Sequence, residues 1–220
     1  MYKAVILDLD GTLLDTLTDL ADSVNFGLSE MGYPLRTKDE VRRFIGNGVV
    51  KLVSRAVPQG TSEQDSAKCL AIFRAHYLEN MRNTTKPYEG IMQMLDELKL
   101  KGIKTAVVSN KLHEAVVELC DDFFEGKIDV ALGVSNEDER KPKPTNVFKA
   151  MQILGVNESE ALYVGDSEVD VQTAKNAGLK CIGVTWGFRD KAELLAAGAD
   201  FIANEARKIC SIVLDSGKIM

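Results

Sequence analysis

The chain has 220 residues, 45% of them hydrophobic and 27% charged, with a formal net charge of −6. That is enough for one large domain, or a medium and a small one, and it excludes a disordered chain. The acidic balance offers no footprint for nucleic acid or an anionic membrane, and no apolar run approaches the roughly 20 residues of a membrane span.

The amino terminus, Met1-Tyr2-Lys3-Ala4-Val5-Ile6-Leu7-Asp8, meets an acid too early for a secretory signal. Four scattered cysteines (Cys69, Cys120, Cys181 and Cys210) with no CxxC spacing fit neither a zinc site nor a disulfide framework. A cytoplasmic protein is the expectation.

The first apolar, β-branched run, residues 4–9, reads as a strand and leads into Asp8-Leu9-Asp10-Gly11-Thr12-Leu13-Leu14-Asp15. Residues two apart in an extended chain share a face, so Asp8 and Asp10 converge where the strand ends, and Gly11 permits a sharp turn. A plain turn carrying two solvated acids has the same pattern.

From residue 16 to 83 only helical periodicity is found. Leu17, Leu20, Ala21, Val24, Leu28 and Met31 form one stripe. Val41, Phe44, Ile45, Val49, Leu52, Val53 and Ala56 form a second, and Leu70, Phe73, Tyr77, Leu78 and Met81 a third. Thr16-x-x-Asp19 and Ser62-x-x-Asp65 have capping-box spacing. Two glycines in a helix cost about 1 kcal/mol each, so Gly46-Asn47-Gly48 marks a turn within the second stripe. Arg42, Arg43 and Lys51 flank that turn, either as a solvated helix face or as cations facing an acidic substrate group.

Beyond residue 84, strands at 104–109, 127–132, 161–164, 180–185 and 201–203 alternate with helices, the pattern of a parallel α/β sheet. The stripe Ile91, Met94, Leu95 and Leu98 is closed by Gly102, and a helix opening at Thr145 is closed by Gly155. Ser109-Asn110 ends one strand and reads as a helix N-cap or as a ligand contact. Pro142 and Pro144 stiffen the segment Arg140-Lys141-Pro142-Lys143-Pro144, where either lysine can meet an anion. In Gly165-Asp166-Ser167-Glu168-Val169-Asp170, a helix starting near Ser167 sets Asp166 and Asp170 four apart; helix N-termini also favour acids in their own right. His76 and His113 receive no role, and Trp186-Gly187-Phe188-Arg189, after the last good strand, reads as packing or as part of the cap interface.

The expected fold is a Rossmann-like α/β core, residues 1–15 and 84–220, with an all-helical cap inserted at 16–83. Ligands of open parallel sheets sit beyond the strand carboxyl ends, where every polar cluster named above falls. Two like charges about 5 Å apart, at an effective dielectric of about 20, repel by roughly 3 kcal/mol. Several aspartates in one crevice therefore call for a cation, and all-oxygen ligands beside a phosphate suit Mg²⁺.

Asp-x-Asp-Gly-Thr, Ser-Asn, Lys-Pro-x-Pro and Gly-Asp-Ser-x-x-Asp, in that order, resemble the four motifs of the haloacid dehalogenase-like (HAD) superfamily, and the insert resembles its C1-type cap. Within the superfamily, Gly46-Asn47-Gly48-Val49-Val50-Lys51-Leu52 and the Lys141–Pro144 run are similar to phosphoglycolate phosphatases. The resemblance implies a Mg²⁺-dependent phosphomonoester hydrolase with Asp8 as nucleophile and Asp10 as acid and base. The metal is held by Asp8, the Asp10 carbonyl, Asp166 and Asp170. The phosphoryl group is held by Thr12, Ser109, Asn110 and Lys141. Arg42, Arg43, Gly46, Asn47, Gly48 and Lys51 of the cap select the substrate. The implied partner is a small phosphorylated metabolite, with neither nucleic acid nor membrane, for a monomer or homodimer. A sugar-phosphate mutase, a pyrophosphatase or another sugar phosphatase uses the same machinery. A phosphorylated receiver-like signalling module is the distant alternative; receivers are much shorter and place the acceptor Asp on the third strand.

Overall fold

The first expected strand forms as β1 (Ala4–Leu7), ending two residues earlier than its apolar run because Leu9 joins the turn that follows. In this computed structural model, which describes residues 2–215, two short strands, β2 (Leu14–Asp15) and β3 (Lys86–Pro87), pair with each other. The chain divides into two units, Met1–Leu14 with Pro87–Met220 and Asp15–Lys86.

The second unit is helical. It comprises α1 (Leu17–Glu30), α2 (Lys38–Phe44), α3 (Val49–Ala56) and α4 (Glu63–Asn80). The second stripe is thus two helices, parted at the Gly46-Asn47-Gly48 break. Ser62 caps α4 through the Asp65 N–H, as its spacing suggests. Thr16 does not cap α1: its side chain accepts nothing from the first turn, and Asp19 looks elsewhere. Asp19 accepts from the backbone N–H and hydroxyl groups of both Thr84 and Thr85, at 2.6–3.1 Å. Burial works to raise its carboxyl, but these four donors outweigh it and hold the group below its usual range.

The first unit carries α5 (Ile91–Leu100), β4 (Lys104–Leu112), α6 (His113–Phe124), β5 (Val130–Val134), α7 (Thr145–Leu154), β6 (Ala161–Gly165), α8 (Glu168–Asn176), β7 (Lys180–Val184), α9 (Lys191–Ala197), β8 (Phe201–Ala203) and α10 (Ala206–Asp215). The third expected strand, 127–132, begins only at Val130, because Lys127 N–H still closes the end of α6 on the Phe124 carbonyl. Gly155 caps α7 in the left-handed conformation that its place in the sequence suggests.

The sheet order is β5-β4-β1-β6-β7-β8, and every pairing is parallel. Ala4 and Ile6 of β1 pack with Val147, Ala150, Met151 and Leu154 of α7 and with Val171 and Ala174 of α8. The chain steps from β1 outward to β4 and β5, then returns to the other side of β1 as β6. That reversal opens the crevice where ligands bind in such sheets. Register sets what lines it: Leu7 is level with Val107 on one side and Val164 on the other, so Asp8, Ser109 and Asp166 emerge at one edge. Among the described residues no helix is long and apolar enough to cross a membrane.

Candidate active site

Asp8, Asp166 and Asp170 are all buried, and one carboxylate oxygen from each lies within 4.8 Å of the others. Asp8 comes directly off β1, with its N–H bound to the Val164 carbonyl at 2.9 Å. Asp170 sits in the first turn of α8, where its Oδ2 accepts from the Ser167 N–H and hydroxyl in a capping box. Its Oδ1 therefore remains directed at the cluster.

Lys141 ties the cluster together. Its Nζ is 2.8 Å from Asp8 Oδ1 and 2.7 Å from Asp170 Oδ1. The loop bearing it is held by a reciprocal pair with Asn110: the Lys141 N–H donates to Asn110 Oδ1, and Asn110 Nδ2 donates to the Lys141 carbonyl. The buried Tyr163 hydroxyl lies below, 3.3 Å from Lys141 Nζ and 3.2 Å from Asp170 Oδ1. Lys143, the sequence's other candidate, points away and pairs with exposed Asp138.

Burial pushes the Asp8 carboxyl up to about 7; Lys141 opposes this, while Asp170 and Asp10 add to it. Asp166 rises well above its ordinary range for the same first reason, reinforced by Asp170 and Asp8. Burial also works against the Lys141 ammonium, but Asp170 and Asp8 more than offset it and hold the group charged.

Asp166 is clamped by backbone that the sequence reading assigned to packing. The Phe188 N–H donates to Asp166 Oδ2 at 2.6 Å, and the Thr12 hydroxyl donates to Oδ1 at 3.3 Å. Trp186 Nε1 donates to the Thr12 carbonyl at 3.0 Å, joining the two clamping segments. Gly11 has φ +87°, and a β-carbon there would strike Asp166 and Phe188. A β-carbon at Gly187 would strike the Gly11 carbonyl and Asp166. Both positions are glycine because two backbones must pass close beside a carboxylate.

Asp10 lies apart from the three buried acids and pairs with Lys111, whose Nζ is 2.9 and 3.1 Å from its two oxygens. Lys111 has no counterpart in the sequence reading. The available signal was its place two residues beyond Ser109 on β4. Ser109 is buried and accepts from the Lys111 N–H at 3.3 Å. The expected core residues Asp8, Asp10, Thr12, Ser109, Asn110, Lys141, Asp166 and Asp170 thus share one sheet edge.

The six expected cap residues lie together in the helical unit. Arg42 and Arg43 occupy the last turn of α2, where cations suit the helix dipole. Gly46, Asn47 and Gly48 form the break before α3, and Lys51 is exposed on α3. Asn47 Oδ1 accepts from Arg55 at 2.8 Å.

The donor set suits a hard divalent cation: three carboxylates at close quarters, no nitrogen or sulfur ligand among the described residues, and a buried Asp8 Oδ1 that has an ion pair but no well-formed hydrogen bond.

The model of the haloacid dehalogenase-like hydrolase family matches residues 5–184. A phosphoglycolate phosphatase of Aquifex aeolicus is 38% identical over 84% of this chain and 86% of its own length. One of Vibrio parahaemolyticus is 33% identical over 96% of each. A solved structure from Lactobacillus delbrueckii subsp. bulgaricus superposes with a TM-score of 0.92 at 35% identity, covering 96% of this chain and 98% of that one. CbbY of Rhodobacter sphaeroides, solved in complex with phosphate, gives a TM-score of 0.78 at 25% identity, covering 95% and 96%. The chain belongs to the haloacid dehalogenase-like hydrolase family. It is an enzyme of the phosphatase kind.

Proposed function

We propose that this enzyme hydrolyses a small phosphomonoester through an aspartyl phosphate on Asp8, with phosphoglycolate as the preferred substrate and Mg²⁺ as the metal. One observation carries the reading: a single buried ammonium, Lys141, spans Asp8 and Asp170 beside Asp166 at the sheet's switch point. That arrangement aims Asp8 and gives its charge a partner while the cluster is ready to receive a cation. The substrate assignment rests on the curated relatives, at 32–38% identity over most of the chain.

Asp8 attacks phosphorus as the bond to the leaving oxygen breaks, and Asp10 gives that oxygen its proton. Asp10 then takes a proton from the water that cleaves the aspartyl phosphate, releasing inorganic phosphate and restoring Asp8. Lys141 balances charge on Asp8 and the transferring group. Ser109 supplies a hydroxyl donor, Thr12 holds Asp166 through its own hydroxyl, and Asn110 fixes the Lys141 backbone. Asp8, Asp166, Asp170 and the Asp10 carbonyl would hold Mg²⁺, which when bound aligns and screens the two anions that must meet. The cap cations Arg42, Arg43 and Lys51 are assigned to substrate choice.

The test is a panel of phosphomonoesters assayed with Mg²⁺ and with EDTA. The expected result is phosphate release that EDTA abolishes and Mg²⁺ restores, with kcat/KM for phosphoglycolate at least about tenfold above hexose phosphates. Hydrolysis that persists without metal contradicts the site reading, and a flat panel contradicts the substrate.

A further inference from the structure

We propose that Lys111 selects substrates whose leaving group carries a carboxylate next to the phosphoester oxygen, its ammonium passing from Asp10 to that carboxylate. This rests on Asp10 serving the leaving oxygen, as proposed above, and identifies the chemistry that recognises the rest of the substrate.

The argument is one of position. If Asp10 meets the leaving oxygen, the next atoms of the leaving group begin within a bond or two of the Asp10 carboxylate. Lys111 Nζ stands 2.9 Å from one oxygen of that carboxylate and 3.1 Å from the other. A carboxylate on the adjacent carbon would bring a further negative charge beside Asp10, where it is repelled unless a cation is in place.

The other cations of this unit that bear on the question are committed. Lys141 spans Asp8 and Asp170, and Arg189 pairs with Glu168 at 2.9 Å. Arg140 pairs with Glu137 and Lys143 with Asp138. Lys111 is the cation that faces Asp10. Its side chain is only 4% exposed against 17% for Asp10. An anion arriving from solvent therefore reaches the ammonium by way of Asp10, and a buried ammonium discriminates strongly between a charged and a neutral substituent. Ser109 and Lys111 are both buried near the end of β4, where its pairing with β5 shifts register, and the Lys111 N–H donates to the Ser109 hydroxyl at 3.3 Å. That places a hydroxyl for the phosphoryl group and an ammonium for the carboxylate two residues apart at one strand end.

The experiment compares phosphoglycolate with ethyl phosphate, which has the same leaving oxygen and carbon count but no carboxylate. The full chain with Mg²⁺ is assayed as wild type, Lys111→Met and Lys111→Arg. The wild type is expected to favour phosphoglycolate. Lys111→Met lowers kcat/KM for both esters, because Asp10 loses its partner, but cuts the preference at least about tenfold, chiefly through KM. Lys111→Arg restores part of it.

Equal losses on the two esters would reduce Lys111 to a support for Asp10 and overturn the proposal, as would an unchanged preference. Inhibition of wild-type ethyl phosphate turnover gives a second readout that needs no variant: glycolate should inhibit at far lower concentration than ethylene glycol, and equal potency overturns the selection. A wild type that hydrolyses neither ester fails the reading of the site itself, whereas one that hydrolyses both with no preference fails only the role of Lys111.

Discussion

Replacing Lys141 by Met removes the positive charge that the structure sets between Asp8 and Asp170. The Lys141 side chain is 3% exposed, Asp170 0% and Asp8 10%. Met fills most of the stem's volume, so the loss is electrostatic rather than a cavity. Removing one partner from a buried ion pair destabilises by about 3–5 kcal/mol, because the charges left behind are uncompensated. At about 2–4 °C per kcal/mol for a chain this size, the melting temperature should fall by roughly 6–20 °C. The assay is thermal unfolding in EDTA, followed by turnover with Mg²⁺, which should drop by at least about a thousandfold. Adding Asp170→Asn removes one orphaned charge and should recover part of the stability without recovering turnover. Lys143→Met is the control: its pair with Asp138 is exposed on both sides, and its loss should stay within about 0.5 kcal/mol. If Lys141→Met costs no more than Lys143→Met, the charge balance drawn here is wrong.

Stability of the EDTA-treated protein should fall as pH rises from about 4 through about 7, since Asp8 in the folded state binds its proton more tightly than in the unfolded state and must lose it under burial. Asp166 shifts the same way and prolongs the fall, while the raised Lys141 keeps its proton throughout that window. Melting curves across pH give the answer, and a stability that climbs over the same range refutes the assignment. Gly187→Ala drives a β-carbon into the Gly11 carbonyl and Asp166, so metal affinity should weaken by about 10–100-fold with the helical unit unaffected. Asp19→Ala strips the donors of Thr84 and Thr85 of their acceptor and should cost about 1–3 kcal/mol in urea unfolding, because the buried Thr85 donors are left unpaired.

The α/β alternation was legible because parallel strands buried on both faces are continuous apolar runs, and the glycines after Leu100 and Leu154 punctuate their helices. Asp8, Asp166 and Asp170 could be paired from strand ends and helical spacing alone. The choice of Lys141 over Lys143 could not, since both have the same local sequence and only the fold buries one of them. Thr16 and Asp19 misled for a related reason. Their spacing suits a cap, but Thr84 and Thr85, more than sixty residues away, offer Asp19 four donors, and no local pattern announces a partner that distant. Lys111, Tyr163 and the Phe188 N–H were missed because each acts through register, a backbone group or a hydroxyl within an apolar strand. Trp186 to Phe188 looked like packing because the functional atom is the amide of Phe188, which side-chain identity does not reveal.

The nucleophile can be read from the chain itself. Borohydride reduces an acyl phosphate to an alcohol, so quenching the Mg²⁺ enzyme during turnover of phosphoglycolate into borohydride should convert Asp8 to homoserine. Peptide mass spectrometry locates the change. Homoserine at position 8, dependent on substrate, is the expected result. A reduced residue at Asp10, Asp166 or Asp170 with Asp8 intact would contradict the account.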